Sequence, residues 1–200
     1  MTYALFLFLP LIALANTFEL LDKKLEEIKS LKVAFVQRVY YSWYPKSDVS
    51  KGFFYAQKGG KFRIEYEQPE RMLIVSDGHE ILLYNPEDGS AIVDRVENNR
   101  SGTVEALFLL SKSLREVFDP IGEIKKEKSI TLILKPKVKD ELFSKVYVDI
   151  DESFDIKSIK VEDKEGTTTE VDFLSISKNF TPSYDLFEIK VPKGTKIRRL

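Results

Sequence analysis

Residues 52–69 read GFFYAQKGGKFRIEYEQP, two apolar segments separated by a pair of glycines. In the second segment Phe62, Ile64 and Tyr66 alternate with charged residues, and this two-residue period is typical of a strand with one buried face. Gly59-Gly60 favours a tight turn, because glycine adopts backbone conformations that other residues avoid. The stretch therefore predicts a β-hairpin with one apolar face.

The same pattern of short strands and turn residues continues along most of the chain. Asp77-Gly78 lies between two apolar runs, which is a hairpin signal. The 14 Phe, 9 Tyr and 1 Trp also favour strands, where flat side chains pack well. The alternation predicts eleven strands, at residues 33–43, 52–57, 61–67, 72–76, 81–84, 91–96, 130–134, 145–150, 156–162, 168–176 and 186–191, with the first interrupted by Pro45.

Two other segments have helical periodicity. Asn16 or Thr17 is placed to cap a helix whose apolar positions recur at three- and four-residue steps. Those apolar positions are Phe18, Leu21, Leu25 and Ile28, and the opposite face carries Asp22, Lys23, Glu26, Glu27 and Lys29. Residues 101–117 predict one or two further short helices, capped at Ser101 and bounded by Pro120 and Gly122.

Strands and helices that share one chain without a linker indicate a single domain, residues 16–200. The predicted fold class is mainly β with an α-helical lid: a single, strongly curved antiparallel sheet of about 11 strands. It would form an incomplete β-barrel, with the helices covering its concave face.

The first fifteen residues resemble a targeting segment. An apolar run is followed by Ala13-Leu14-Ala15, the small-x-small pattern that a signal peptidase accepts. The run is too short to span a bilayer as a helix, which takes about 20 residues. We therefore expect residues 1–15 to be a removed signal peptide and the chain to be periplasmic. A buried N-terminal helix or strand and a membrane anchor are the alternatives.

Charge and residue usage argue against several classes of function. The 31 basic and 32 acidic residues leave a net charge of −1, which gives no electrostatic reason to bind nucleic acid. The chain has no cysteine and one histidine, His79, in a predicted turn. Thiolate or histidine metal sites and a Ser-His-Asp triad are therefore not expected. We predict no enzyme activity, no metal and no cofactor.

The apolar faces of the helices need a surface to cover. A small closed barrel fills its own interior and needs no lid. A half-open barrel with helices over it leaves a hollow that opens when the helices move. The alternative is that helices and sheet pack solidly and bind no ligand, and periodicity does not decide between the two.

Four motifs resemble the periplasmic outer-membrane lipoprotein carrier family (LolA). They are residues 52–69, Ser76-Asp77-Gly78 with Leu83-Tyr84, Phe35-Val36-Gln37 as the family's Phe-x-Gln strand, and residues 185–194 as its closing Phe…Pro-x-Gly segment. They occur in family order between about residues 18 and 196. The resemblance implies an incomplete antiparallel barrel with a helical lid.

The resemblance also implies a function. Carriers of this kind take a lipoprotein from an inner-membrane ABC-type release complex and shield its acyl chains in an apolar cavity. They then deliver it to an outer-membrane acceptor. A monomer is expected. A lipid- or lipoprotein-sensing regulator domain of the same architecture is the alternative, although such regulators usually carry a second domain.

Candidate site residues follow from the family pattern and from strand alternation. The family's basic latch residue corresponds to Lys58-Gly59 here, and Arg63 is a possible substitute for it. Lysine keeps the charge but lacks the planar fork of arginine, which can hold several lid carbonyls. The candidates for acyl-chain and lid binding are Phe35, Lys58, Phe62, Ile64, Tyr66, Leu107 and Leu110; each apolar one can equally be plain core.

Overall fold

The computed structural model describes residues 9–96, 113–137 and 143–200, with side chains from residue 16 onward. These ranges contain two helices, α1 (Leu9–Glu26) and α2 (Leu114–Val117). The strands are β1 (Ser30–Tyr41), β2 (Tyr44–Gln57), β3 (Lys61–Gln68), β4 (Met72–Asp77), β5 (Glu80–Asn85), β6 (Ser90–Arg95), β7 (Phe118–Lys125), β8 (Ser129–Pro136), β9 (Phe143–Asp151), β10 (Ile156–Asp163), β11 (Thr168–Lys178) and β12 (Lys196–Arg199).

All twelve strands belong to one open sheet in the order β12-β6-β5-β4-β3-β2-β1-β11-β10-β9-β8-β7. The chain folds as two meanders, β1–β6 and β7–β11, which join where β1 pairs with β11. The predicted class, a mainly β fold built on a single curved sheet, is confirmed. The strands pair in antiparallel fashion as predicted, except that the short C-terminal strand β12 runs parallel to β6.

The turn at Asp77-Gly78 forms as its sequence predicts. The Asp77 carboxylate accepts hydrogen bonds from the backbone N–H groups of His79 and Glu80 at 2.8 and 2.9 Å. Gly78 has a φ of 101°, a conformation that favours glycine. This local geometry joins β4 to β5 and leaves His79 in the turn.

One face of the sheet, called here the inner face, packs against α1. Phe18, Leu21 and Leu25 of the helix share a single buried cluster with apolar residues from both meanders. The sheet members include Val33, Phe54, Ile74, Leu132, Leu134, Val148, Ile150, Ile159 and Val171. The helix covers the inner face because its apolar side chains recur with the helical period and the strand side chains recur with period two.

Two predictions near the N-terminus are wrong. Helix α1 runs through Asn16 and Thr17 without a break, so neither residue caps it. The first long strand is a hairpin instead, with a turn at Ser42-Trp43 and a second strand that starts before Pro45. A register shift between Val39 and Tyr41 accommodates this turn.

The region after Ser113 also differs from the prediction. Helix α2 is one turn long, and residues 97–112, where the other predicted helical residues lie, are outside the described ranges. Pro120 and Gly122 do not bound a helix but lie within β7, at the edge of the sheet. Proline is tolerated at an edge because the missing N–H removes no interior hydrogen bond.

Residues 186–191 do not form the predicted strand. Ile189 and Val191 pack instead against a small cluster of Leu82, Ala91 and Val93 on the outer face of the sheet. The alternating apolar side chains of this segment therefore cover an apolar patch, and the segment does not pair with the sheet as a strand. The last strand forms later, at β12. No helix in the described part of the chain is both long enough and apolar enough to cross a membrane.

Candidate functional site: the inner face and its helical cover

The four apolar candidates that the structure describes lie together on the inner face. Phe35 is on β1, and Phe62, Ile64 and Tyr66 occupy alternate positions on β3; all four are buried in the cluster that includes α1. The rings of Phe35 and Tyr66 meet edge to face at 5.6 Å between centroids. Leu107 and Leu110 lie outside the described residues. Strand alternation thus correctly predicts a shared apolar surface.

A polar pair is set into this apolar face. The Tyr66 hydroxyl donates a hydrogen bond to Gln37 Oε1 at 3.1 Å, and both side chains are buried. Burying an amide is unfavourable unless it is hydrogen-bonded, so the pair fixes the side-chain positions of β1 relative to β3. The alternation places Gln37 on this face, but it does not reveal its partner.

Lys58 contacts the C-terminal end of α1. Its Nζ donates a hydrogen bond to the backbone carbonyl of Glu26, the last residue of the helix. Its backbone N–H donates to the carbonyl of Lys29 at 3.0 Å. The carbonyls at a helix C-terminus have no partner within the helix and carry partial negative charge, so a lysine is favourable there. The residue that the family pattern singles out therefore touches the helical cover.

A second polar contact holds the last turn of α1 from the other side. Lys24 Nζ lies 3.0 Å from the Asp155 carboxylate, which also accepts a hydrogen bond from Lys178 of β11. Burial raises the pKa of Asp155, but the hydrogen bonds from Lys178 and Lys24 outweigh it and leave the pKa below its ordinary value. The pair links the helix to the sheet through a shared charge.

The third contact joins the two helices. The Asp22 side chain is 0% exposed, and it accepts hydrogen bonds from the Leu114 N–H at 2.5 Å and from Arg115 Nε at 2.5 Å. Ser113 Oγ adds a contact at 3.1 Å. Burial raises the pKa of Asp22, but these donors, with Arg115 the strongest, lower it overall. The carboxylate thus caps α2 and ties it to α1.

The prediction that Asp22 lies on the exposed, charged face of α1 is therefore wrong. Helical periodicity assigned it to the charged outer face, whereas it is buried between the helices. Position 22 is one turn after Phe18 and adjacent to Leu21, which places it at the border of the apolar stripe. That spacing is the one signal in the sequence that could have identified it.

Arg63 does not act as the substitute latch. It lies on the outer side of β3, where its Nε pairs with Glu65 Oε1 at 2.5 Å. Its NH1 donates to the carbonyl of Leu186 at 3.4 Å, and so it holds the C-terminal segment. Strand alternation explains this, because Arg63 points away from Phe62 and Ile64.

Among the residues that the structure describes, α1 packs directly on the inner face. Beneath the last turn of α1 there is a hollow of about 20 Å³, lined by apolar residues that include Leu25, Ile28, Phe154 and Phe173. A cavity of roughly 10–15 Å³ holds one water molecule, so this hollow is far too small for an acyl chain. A ligand that binds the sheet side chains packed against Phe18, Leu21 and Leu25 would have to displace α1.

The comparisons with known proteins agree with this architecture. Residues 26–190 match the family model described as "Outer membrane lipoprotein carrier protein LolA". An outer-membrane lipoprotein carrier protein of Legionella pneumophila (strain Paris) is 31% identical over 181 residues, covering 90% of this chain and 88% of the relative. Another from Chromohalobacter salexigens is 27% identical over 193 residues, covering 96% and 91%.

Solved structures show the same fold at low sequence identity. An uncharacterized conserved protein from Thermus thermophilus superposes with a TM-score of 0.58 at 12% identity, covering 93% of this chain and 99% of that one. A putative outer membrane lipoprotein-sorting protein domain from Vibrio parahaemolyticus gives 0.50 at 12% identity, covering 88% and 95%. With the family model matched over most of its length, this chain belongs to the outer membrane lipoprotein carrier family, LolA.

Proposed function

We propose that this protein binds the acyl chains of lipoproteins on its inner face and carries them through the periplasm. The observation that supports this most directly is the attachment of α1. In the described part of the chain α1 covers an apolar surface, and polar contacts at Asp22, Lys24 and Lys58 fasten this helix to its surroundings. Lys24 and Lys58 are reached by water, which can replace their partners, and this suits a cover that opens.

The cost of opening the cover and the gain from binding an acyl chain are of the same order of magnitude. Phe18, Leu21 and Leu25 are buried under the closed cover. Exposing them costs roughly 1.5–3 kcal/mol each, or about 5–9 kcal/mol together. An acyl chain of about fifteen methylenes gains about 12 kcal/mol at ~0.8 kcal/mol per methylene. Cargo therefore displaces the helix, and the helix in turn assists release.

The family relationship supports a proposal for the partners and the location. The cargo comes from an inner-membrane ABC-type release complex and passes to an outer-membrane acceptor where one is present. Residues 1–15 serve as a removed signal peptide, and residues 16–200 act as one monomeric carrier domain. Lys58 is the latch that positions α1, and Phe35, Phe62, Ile64, Tyr66, Leu107 and Leu110 contact the acyl chains.

A lipopeptide-binding assay with distance measurements tests the proposal. The chain lacks cysteine, so a Glu19→Cys and Lys61→Cys pair of exposed positions carries spin labels on α1 and β3 without background. We expect a triacylated lipopeptide to stay soluble in complex with residues 16–200 and to lengthen the distance between the labels. The non-acylated peptide is the control. A lipopeptide that binds without any change in this distance contradicts the lid, and one that never binds contradicts the carrier function.

A further inference from the structure

The hairpin between β1 and β2 ends in a cluster of aromatic side chains, called here the aromatic tip: Tyr40, Tyr41, Trp43 and Tyr44. Trp43 is 77% exposed and is the single tryptophan of the chain. Tyr40 and Tyr44 are also exposed. Several large aromatic side chains gathered on one exposed turn are unusual for a protein surface without a partner.

The aromatic tip is held in place by its neighbours. The Trp43 ring lies 5.4 Å from that of Tyr41 and 5.9 Å from that of Tyr44. The Tyr41 hydroxyl donates to Asp48 at 3.0 Å, and Ser42 Oγ donates to the Glu165 carbonyl in the β10–β11 turn at 3.3 Å. These contacts fix the turn, so that Trp43 projects outward instead of folding back onto the sheet.

The residue types indicate the kind of partner. Tryptophan and tyrosine combine an apolar ring with a polar N–H or O–H, and they collect at the boundary between lipid tails and water. The charges beside the aromatic tip are of both signs, Lys46 and Lys164 with Asp48 and Glu165, so neither an anionic nor a cationic partner is favoured. Aromatic side chains with mixed charges around them therefore fit the interface of a bilayer better than a partner of one charge sign.

We propose that the aromatic tip inserts into the headgroup region of a phospholipid bilayer and docks the protein transiently on a membrane surface. The aromatic tip lies at the Tyr41 end of β1, whereas Lys58 contacts α1 near the Ser30 end. Eleven residue steps at about 3.3 Å separate these ends by roughly 35 Å. Docking therefore leaves the latch of α1 free to open.

The single tryptophan makes the test direct, because its fluorescence reports on the aromatic tip alone. Residues 16–200 are titrated with vesicles of phosphatidylethanolamine and phosphatidylglycerol. We expect a saturable blue shift of the Trp43 emission and quenching by lipids brominated near the headgroup. Raising the salt concentration should change the binding little, because aromatic contacts rather than charges drive it.

Variants separate this contact from nonspecific adsorption. Trp43→Ala should weaken vesicle co-sedimentation by about tenfold, and Trp43→Phe by less. Tyr184→Ala removes an aromatic residue that is even more exposed but lies on the C-terminal segment, and it should change nothing. An emission spectrum that vesicles leave unchanged, or equal sedimentation of Trp43→Ala and the unaltered chain, overturns the proposal. Lipopeptide binding is measured separately, so either function can fail while the other stands.

Discussion

The Asp22 carboxylate of α1 lies 2.5 Å from Arg115 Nε of α2, and it is buried although its partner is 58% exposed. The two helices are therefore joined by an ion pair in which water reaches the Arg115 side chain but not the Asp22 carboxylate. This asymmetry decides how each member of the pair responds to substitution, because only Asp22 is left without solvent when its partner is removed.

Replacing Asp22 should loosen the helical cover. Asp22→Ala removes the acceptor for Ser113, Leu114 and Arg115. We expect the free energy of unfolding to fall by about 1–3 kcal/mol, because Leu114 loses its hydrogen bond while Arg115 regains water. Denaturant unfolding measures the loss. Glu19→Ala, an exposed acidic residue on the same helix, is the matched control; an equal loss in both variants would show that Asp22 does not fasten the helices.

Acid should weaken the same contacts. The pKa values of Asp22 and Asp155 both lie below the ordinary value of 3.8. Between the folded and unfolded pKa values the folded chain binds fewer protons than the unfolded chain, so the free energy of unfolding rises with pH. The contribution is complete above the unfolded pKa and is lost as pH falls through the folded values. Urea unfolding between about pH 2 and 6 should show this slope, and Asp22→Asn should make it shallower.

Gly52 should tolerate no side chain. A Cβ there would lie 1.9 Å from the backbone oxygen of Glu65, where the register between β2 and β3 shifts. Because backbone cannot move aside as a side chain does, Gly52→Ala should cost about 3 kcal/mol or more. Gly122→Ala is the control, since its Cβ would meet the Ile133 side chain at an ordinary 3.5 Å. Thermal unfolding measures the difference: the midpoint temperature should fall much further for Gly52→Ala than for Gly122→Ala.

The sequence predicts the inner face well because strand alternation is a local property. Phe62, Ile64 and Tyr66 lie two residues apart, and any pairing of β3 that buries one of them buries all three. The turn at Asp77-Gly78 is likewise determined by its own residues. Neither feature depends on which distant segment packs nearby.

The features that were missed depend on distant partners. Asp22 is buried because Ser113, Leu114 and Arg115 arrive more than ninety residues later along the chain, and no local pattern announces them. Residues 186–191 alternate like a strand, but they cover an outer patch that β5 and β6 create. Local periodicity therefore misplaces Asp22, and it identifies the apolar side of residues 186–191 without showing what that side covers.

Tyr66 and Gln37 should be coupled energetically through the hydrogen bond between them. Tyr66→Phe leaves Gln37 Oε1 without that donor, and Gln37→Leu leaves the hydroxyl without that acceptor. Each single substitution should cost about 1–3 kcal/mol, whereas the double variant should cost less than their sum. A double-mutant cycle in urea measures the coupling. A coupling of zero would mean that the pair does not hold β1 against β3.

Lys58 should control the last turn of α1 more than overall stability. It is exposed, so Lys58→Ala should change the free energy of unfolding by less than about 1 kcal/mol. Hydrogen exchange in the last turn of α1 should nevertheless speed up, because the carbonyl of Glu26 loses its donor. Lipopeptide release should speed up with it. Lys58→Arg should preserve the contact, and Lys61→Ala, in the same hairpin, is the control. Lys58 is not the latch if the Lys58→Ala and Lys61→Ala variants have the same hydrogen-exchange rates in the last turn of α1 and release lipopeptide at the same rate.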